Sequence, residues 1–307
     1  MTTDLAGLRV LITGPARGIG ADLSRALAAR GSRLALVGLE PRRLEELAAE
    51  LGGGAVAIEC DVRDLAALRA AADRAAEALG GLDVVVANAG VAYGTTADAE
   101  GDDERERVTL EVNLLGPMRT VRATLPHITA SRGQYVLIAS LASMIQMPLL
   151  GAYSASKAGV HAYGNALRQE LAPRGVAVTV AYFGFIDTDM GRLAGDSGAM
   201  NVFTRHIPGP LSHLHPVRVA VAALLRAIER RSRRAIAPGA VLPAVLLPAL
   251  HQWVSEKATA RRVSEALTTA AVEPALHAGS TPGLATPVEV PPAAAPPERK
   301  ASAVGGR

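Results

Sequence analysis

Tyr153 and Lys157 stand four positions apart in Tyr153-Ser154-Ala155-Ser156-Lys157. On a helix that spacing puts both side chains on one face. A phenol is a poor base at neutral pH, and bringing its pKa from about 10 to near 7 takes roughly 4 kcal/mol. A neighbouring ammonium favours the phenolate and supplies part of that. The pair can therefore act as a general acid/base, although a Tyr/Lys pair on a surface helix is the ordinary alternative. Ser140 ends the apolar run that starts at Gln134. Its hydroxyl can donate to a substrate oxygen, or it can simply cap a strand end. Asn113 follows Glu111 and Val112 at the start of a long helical stretch. A buried amide there can disturb the helix and hold a water, or serve as a plain cap.

A second group of residues suits phosphate. Thr13-Gly14-Pro15-Ala16-Arg17-Gly18-Ile19-Gly20 joins an apolar run to a helical stretch. Gly14, Gly18 and Gly20 let the backbone turn sharply and approach a pyrophosphate closely. The helix that starts at Gly18 and Ile19 offers free N–H groups and the positive end of its dipole. The spacing is G-x-x-x-G-x-G rather than G-x-G-x-x-G, so the turn alone is a weak signal. Asp61 and Val62 follow Cys60 after a third apolar run, where a carboxylate can accept from an adenine amino group. Asn88-Ala89-Gly90 follows a fourth run, where small residues would line a trough. Ligands of open α/β sheets sit at the carboxyl ends of strands, so these segments converge on one edge.

The elements that carry these residues alternate along the chain. Leu8 to Thr13, Arg33 to Val37, Ala55 to Ile58, Asp83 to Ala87, Gln134 to Ala139 and Val176 to Ala181 read as strands. Gly18 to Arg30, Pro41 to Leu51, Asp64 to Leu79 and Tyr153 to about Leu171 read as helices. The strands are continuous apolar runs, the pattern of a sheet covered on both faces. The fold class is α/β, a doubly wound parallel sheet of Rossmann type forming a single domain over 1–238. Residues 239–272 read as an apolar, helical C-terminal extension. Residues 273–307 hold seven of the 19 prolines and read as a disordered tail. Pro238 to Leu250 is very apolar but broken by Pro243 and Pro248, and too short to span a bilayer. Packing on the domain or a partner subunit is its plain reading, with the combined burial of Val241, Leu242, Val245, Leu246, Leu247 and Leu250. A peripheral membrane contact through 238–250 and a lid over the substrate are the other roles left open.

Composition excludes several function classes. The chain has 307 residues, 49% hydrophobic and 20% charged, which suits a globular core. Aromatic residues are only 3% and the net charge only +3, so no nucleic-acid partner is expected. The single Cys60 excludes an intramolecular disulfide and a Cys-based zinc cluster. His206, His213 and His215 have no carboxylate or Cys placed with them, so no metal is expected. No apolar run reaches the roughly 18 residues of a membrane span. The N-terminus lacks a basic-then-apolar leader, which makes a cytoplasmic protein the expectation.

TGxxxGIG, NAG, Asn113, Ser140 and YSASK, in this order and spacing, resemble the short-chain dehydrogenase/reductase family over roughly Leu5 to Pro238. The resemblance implies a Rossmann-type domain that binds NAD or NADP and moves a hydride between the nicotinamide and an alcohol or carbonyl. It implies Tyr153 as general acid/base, Lys157 as its pKa modifier and ribose ligand, Ser140 as donor to the substrate oxygen and Asn113 as support for a proton relay. It also implies that Ile186 and Thr188 hold the carboxamide. The chain departs from the family pattern at Phe183-Gly184, where Pro-Gly is usual, which frees φ and adds a ring beside the nicotinamide.

Cofactor choice turns on the end of the second strand. Gly38 stands where NAD-specific members carry an acid that grips the ribose hydroxyls. With Arg17, Arg42 and Arg43 nearby, that corner favours NADP(H) and leaves NAD(H) open. Glu40 argues the other way if its side chain turns back. Asp189 to Pro216, with Met190, Leu193, Met200, Val202, Phe203, Ile207 and Leu211, reads as a lid over an apolar pocket, or as core packing or a subunit contact. Leu141, Met144, Ile145 and Met147 would join the pocket. The expected partner is therefore a small hydrophobic alcohol or ketone, and the expected assembly a homo-oligomer. An epimerase or dehydratase with transient hydride transfer, or a non-catalytic nucleotide-binding module, are the competing functions.

Overall fold

The computed structural model describes residues 3–97, 102–204, 213–270 and 277–278. Strand and helix alternate from the start: β1 (Arg9–Thr13), α1 (Gly18–Ala28), β2 (Arg33–Gly38), α2 (Pro41–Leu51), β3 (Val56–Glu59), α3 (Leu65–Leu79) and β4 (Val84–Ala87). Then come β5 (Ala92–Tyr93), α4 (Asp102–Leu110), α5 (Gly116–Ser131), β6 (Gln134–Ile138), α6 (Gly151–Leu171) and β7 (Ala177–Phe183). The chain continues through α7 (Asp189–Asp196), α8 (Gly198–Thr204), α9 (Val217–Glu229) and β8 (Arg234–Ala237). It closes with α10 (Leu242–Leu246), α11 (Pro248–Thr259), α12 (Val263–Ala270) and β9 (His277–Ala278). Local chemistry sets these boundaries. Pro41 opens α2, where its missing N–H costs nothing. Asp64 is the cap of α3 rather than its first residue, accepting from the N–H groups of Ala66 and Ala67 at 2.8 and 3.0 Å.

Seven strands pair in parallel in the order β3-β2-β1-β4-β6-β7-β8. The order reverses about β1 and β4, which opens a crevice at their carboxyl ends. Successive side chains along each strand point to opposite faces. Leu11, Val37, Val85, Leu137 and Val180 therefore enter one core, on the side of α3, α5 and α6. Val10, Ile12, Leu36, Val86 and Val136 enter the other, on the side of α1 and α9. A small third cluster joins Met200 and Phe203 of α8 to Ala266 of α12.

Several sequence expectations change. β8 was not legible, because Arg234-Ala235-Ile236-Ala237 is short, opens on a charge and lies at the sheet edge. β7 runs on to Phe183, which is buried as a strand residue rather than placed in a loop. In Pro238 to Leu250 only one side packs. Val241, Ala244 and Val245 are buried, whereas Leu242, Leu246, Leu247 and Leu250 are exposed. The tail from Glu273 lies outside the described residues except His277–Ala278, which pairs antiparallel with Ala92–Tyr93. His206, Ile207 and Leu211 also lie outside the described residues. Among those described, no helix is long and apolar enough to cross a membrane.

Candidate active site

β1 ends at Thr13, and the chain turns through Gly14 to Arg17 into α1. Gly14 and Gly18 have φ of +65° and +56°, the left-handed region that glycine enters without a Cβ clash. A Cβ on Gly14 would lie 2.7 Å from Ala89 Cα, and one on Gly18 would lie 3.2 Å from Thr188 Cγ2. The turn is tied to the end of β4. Thr13 Oγ1 accepts from the N–H groups of Asn88 and Ala89 at 3.1 and 3.2 Å, and Asn88 Nδ2 donates to the carbonyls of Thr13 and Gly14 at 3.1 and 2.8 Å. The Asn88 amide is thus committed to holding the turn. Arg17 caps α1 with no side-chain hydrogen bond, leaving the leading N–H groups of the helix available to a ligand.

A cavity of about 630 Å³ follows the carboxyl ends of the central strands. Gly14, Arg17, Gly18, Ile19, Gly38, Asp61, Val62, Asn88, Ala89 and Gly90 line one part, and Ser140, Tyr153, Lys157, Ile186 and Thr188 another. Two expected site residues are not on its wall. Gly20 is buried beneath the turn, where a Cβ would lie 2.6 Å from both Asn88 Nδ2 and Gly14 O. Asn113 is fully buried behind Val91.

Ser140 stands just beyond β6, and Tyr153 and Lys157 lie in the first two turns of α6. The Ser140 hydroxyl, which accepts from the Ala142 N–H at 3.1 Å, shares the cavity wall with the Tyr153 phenol. Lys157 Nζ donates to Ile138 O at 3.1 Å and lies 5.7 Å from the centroid of the Tyr153 ring. Ser143 ties the two elements, donating to Lys157 O at 2.9 Å and accepting from the Ser140 N–H at 3.3 Å. Burial pushes the Tyr153 phenol above its ordinary pKa, with the nearby Ser140 side chain pulling the other way. Burial also pulls the Lys157 ammonium down to about 8. The expected lowering of Tyr153 by Lys157 is therefore not the dominant effect within the protein: desolvation disfavours the charged form of both groups.

Asn113 sits in a π-helical turn, Glu111–Leu115, between α4 and α5. Its amide is used in full on neighbours. Oδ1 accepts from Val91 N at 2.8 Å, and Nδ2 donates to Val91 O at 2.8 Å and to Ser156 Oγ at 3.3 Å. Ser156 Oγ in turn donates to Tyr153 O at 2.6 Å. Asn113 thus fixes the stretch after Gly90 against the helix that carries Tyr153. A Cβ on Gly90 would lie 3.3 Å from Asn113 Oδ1 and 3.6 Å from Lys157 Nζ.

At the other end, Glu40 does turn back. It pairs with Arg17 at 2.5 Å and Arg43 at 3.3 Å. Arg17 Nε is buried without a hydrogen-bond partner in the protein, and a Cβ on Gly38 would meet Leu44 and Pro15 at an ordinary 3.7 Å. Asp61 is held by Arg63 at 2.6 Å. Burial opposes its charge, but the hydrogen bonds and charge of Arg63, with Arg119 behind, hold the carboxylate below its ordinary pKa. A glycine cradle, open helix N–H groups and an orphaned Arg17 donor at the end of a crevice fit a dinucleotide.

Met190, Met200 and Phe203 line the cavity together with Leu141, Ile145 and Met147. Met144 does not; it is buried in the core. Sequence reasoning missed the wall built by α11, which brings His251, Val254, Ser255, Ala258 and Thr259 to the cavity, followed by Arg262. It also missed Thr13, Ser143 and Ser156 as tethers. Thr13 and Ser156 lie inside the motifs, so their positions carried a signal; Ser143 and α11 carried none.

A switch-point crevice with a glycine cradle, and a Ser/Tyr/Lys group beside it, defines a nucleotide-binding oxidoreductase of Rossmann type. The sequence model of the short chain dehydrogenase family matches residues 9–197, and the chain belongs to that family. It is 30% identical over 245 residues to dehydrogenase/reductase SDR family member 7B of Xenopus laevis, covering 76% of this chain and 74% of that protein. It is 33% identical over 246 residues to an uncharacterised oxidoreductase of Mycobacterium tuberculosis, covering 78% and 91%. It is 35% identical over 229 residues to D-threitol dehydrogenase of Mycolicibacterium smegmatis, covering 73% and 87%. The family generally uses NAD(P)(H).

Proposed function

We propose that this protein is a dehydrogenase/reductase that interconverts a small hydrophobic alcohol and its ketone, with NADP(H) preferred over NAD(H). The observation that carries the reading is the convergence of Ser140, Tyr153 and the buried Lys157 on one cavity whose wall also includes the glycine cradle. A bound nicotinamide supplies the hydride donor or acceptor and, when oxidised, a positive charge. The Ser140 hydroxyl donates to the substrate oxygen and holds it next to the phenol. Tyr153 takes the proton from an alcohol oxygen or gives one to a ketone oxygen. Lys157 favours the phenolate and is placed to meet a ribose hydroxyl. Asn113 acts through Val91 and Ser156 as a positioning residue.

Leu141, Ile145, Met147, Met190, Met200 and Phe203 support an apolar substrate, in contrast to the polyol in the name of the mycobacterial threitol enzyme. The absence of an acid at Gly38, with Arg17 adjacent, supports NADP(H). Glu40 offsets part of that positive charge, so the expected preference is about tenfold, or roughly 1.4 kcal/mol. A cytoplasmic homo-oligomer remains part of this reading. The test is Tyr153→Phe, assayed by turnover over a series of hydrophobic alcohols and ketones and by nicotinamide fluorescence. Turnover is expected to vanish while cofactor binding survives. Near wild-type turnover in the variant would remove Tyr153 from the chemistry.

A further inference from the structure

α11 is built inside out. Helical spacing puts His251, Ser255, Thr259 and, beyond the helix end, Arg262 along one side, and these line the cavity. The opposite side carries Leu250, Trp253 and Lys257, with Arg261 continuing the same line. Leu246, Leu247, Leu250, Trp253 and Val254 are each more than half exposed. Val254 belongs to both surfaces, so the exposed apolar face runs to the rim of the cavity. Lys257 and Arg261 are exposed beside it. Of the acids on this segment, Glu256 is engaged by Gln252 at 2.8 Å and lies off that line.

We propose that this face rests on the surface of an anionic lipid bilayer, and that the cavity draws a lipophilic alcohol or ketone from the lipid across its rim. The choice of substrate class rests on the function proposed above; the docking does not. An apolar helix face with tryptophan and flanking cations suits the headgroup boundary, where the leucines enter the acyl region and the cations meet phosphate. A second copy of the chain fits less well. A two-fold contact sets the same patch against itself end to end, so Lys257 and Arg261 would be buried against the exposed leucines and Trp253 of the other copy rather than against carboxylates.

Trp253 is the only tryptophan in the chain, so its fluorescence reports on this face alone. The full-length protein is mixed with vesicles of phosphatidylcholine, or of phosphatidylcholine and phosphatidylglycerol in equal parts, and sedimented. Binding to the anionic vesicles is expected, with a blue shift of Trp253 emission, protection from acrylamide, and weakening at high salt. Leu246→Gln with Leu250→Gln should lower partitioning about tenfold or more. Because both leucines are exposed and off the cavity wall, its melting and its turnover of a short, water-soluble ketone should match wild type. Lys257→Gln with Arg261→Gln should abolish the preference for anionic vesicles. Absence of sedimentation and of any blue shift with either vesicle overturns the proposal. So does a blue shift that appears on concentrating the protein without lipid while its mass doubles, which would make the face a self-contact. Vesicle binding by a protein that turns over no ketone supports the docking and overturns only the proposed activity.

Discussion

Desolvation shifts Lys157 and Tyr153 in opposite directions, the ammonium down and the phenol up. The ammonium therefore loses its proton first, near the value of about 8 that burial gives Lys157. Ketone reduction needs the phenol, so its kcat/KM is expected to hold as pH rises through about 8 and to fall only at higher pH, where the raised Tyr153 loses its proton; alcohol oxidation needs the phenolate and should rise over that higher window. In Lys157→Met, which removes the ammonium that favours the phenolate, that limb should move to still higher pH. The stability sign is opposite to the catalytic one. The folded value of Lys157 lies below its unfolded value, so the burial cost is full below about 8 and is relieved as pH rises toward the unfolded value. Lys157→Met should therefore be more stable than wild type at pH 7, by up to about 3 kcal/mol less the lost Ile138 hydrogen bond, and so melt higher. At the ribose corner, a Cβ on Gly38 meets only ordinary contacts, 3.7 Å to Leu44 and Pro15. Gly38→Asp should fold normally and move the kcat/KM ratio toward NAD(H), because a carboxylate repels a 2′-phosphate. A wild type that already prefers NAD(H) strongly would show that Glu40, not Gly38, governs the corner.

Among the elements, the π-helical turn between α4 and α5 matters most to the site. It aims Asn113 at both main-chain groups of Val91, directly after Gly90. Asn113→Leu would leave a buried N–H and C=O without partners, a loss of about 2–4 kcal/mol. A fall in Tm of roughly 5–10 °C is the expected reading. Loss of activity beyond the loss of folded protein is expected too, since Gly90 abuts Lys157. Unchanged melting in this variant would mean that water replaces the amide readily. The sequence marked Asn113 as a residue able to disturb a helix. Its partners were not legible, because Val91 and Ser156 reach it only through tertiary packing.

For the whole molecule, the C-terminal helices are cavity wall more than core. Ending the chain after Ala237 removes Val241 and Val245 from the core and the α11 wall from the cavity. The lost burial is about 5 kcal/mol as an upper bound, a large share of a typical domain's stability. Lower Tm and a raised KM for the ketone, with cofactor Kd changed less, are expected. Ending it after Ala270 removes the His277–Ala278 pairing and the proline-rich segment, and should leave melting and turnover nearly unchanged. A large loss from the shorter deletion would assign the tail a structural role that its composition does not suggest.

The sequence by itself determined the parallel sheet apart from its edge strand β8, and it marked the residues that line most of the candidate site. Apolar runs at regular intervals place strands, and the glycine turn, Asn88-Ala89-Gly90, Ser140 and the Tyr153/Lys157 spacing all fall at strand ends or on one helix face. Such local patterns are legible because main-chain geometry alone forces their consequences. Tertiary structure decided what depends on distant partners: the use of Asn88 and Asn113 as tethers, the turn of Glu40 onto Arg17, and the burial that shifts Lys157. It also decided which side of Pro238 to Leu250 packs inward. Leu246 and Val245 are both apolar and differ in fate only because the domain offers a surface to one side of the helix.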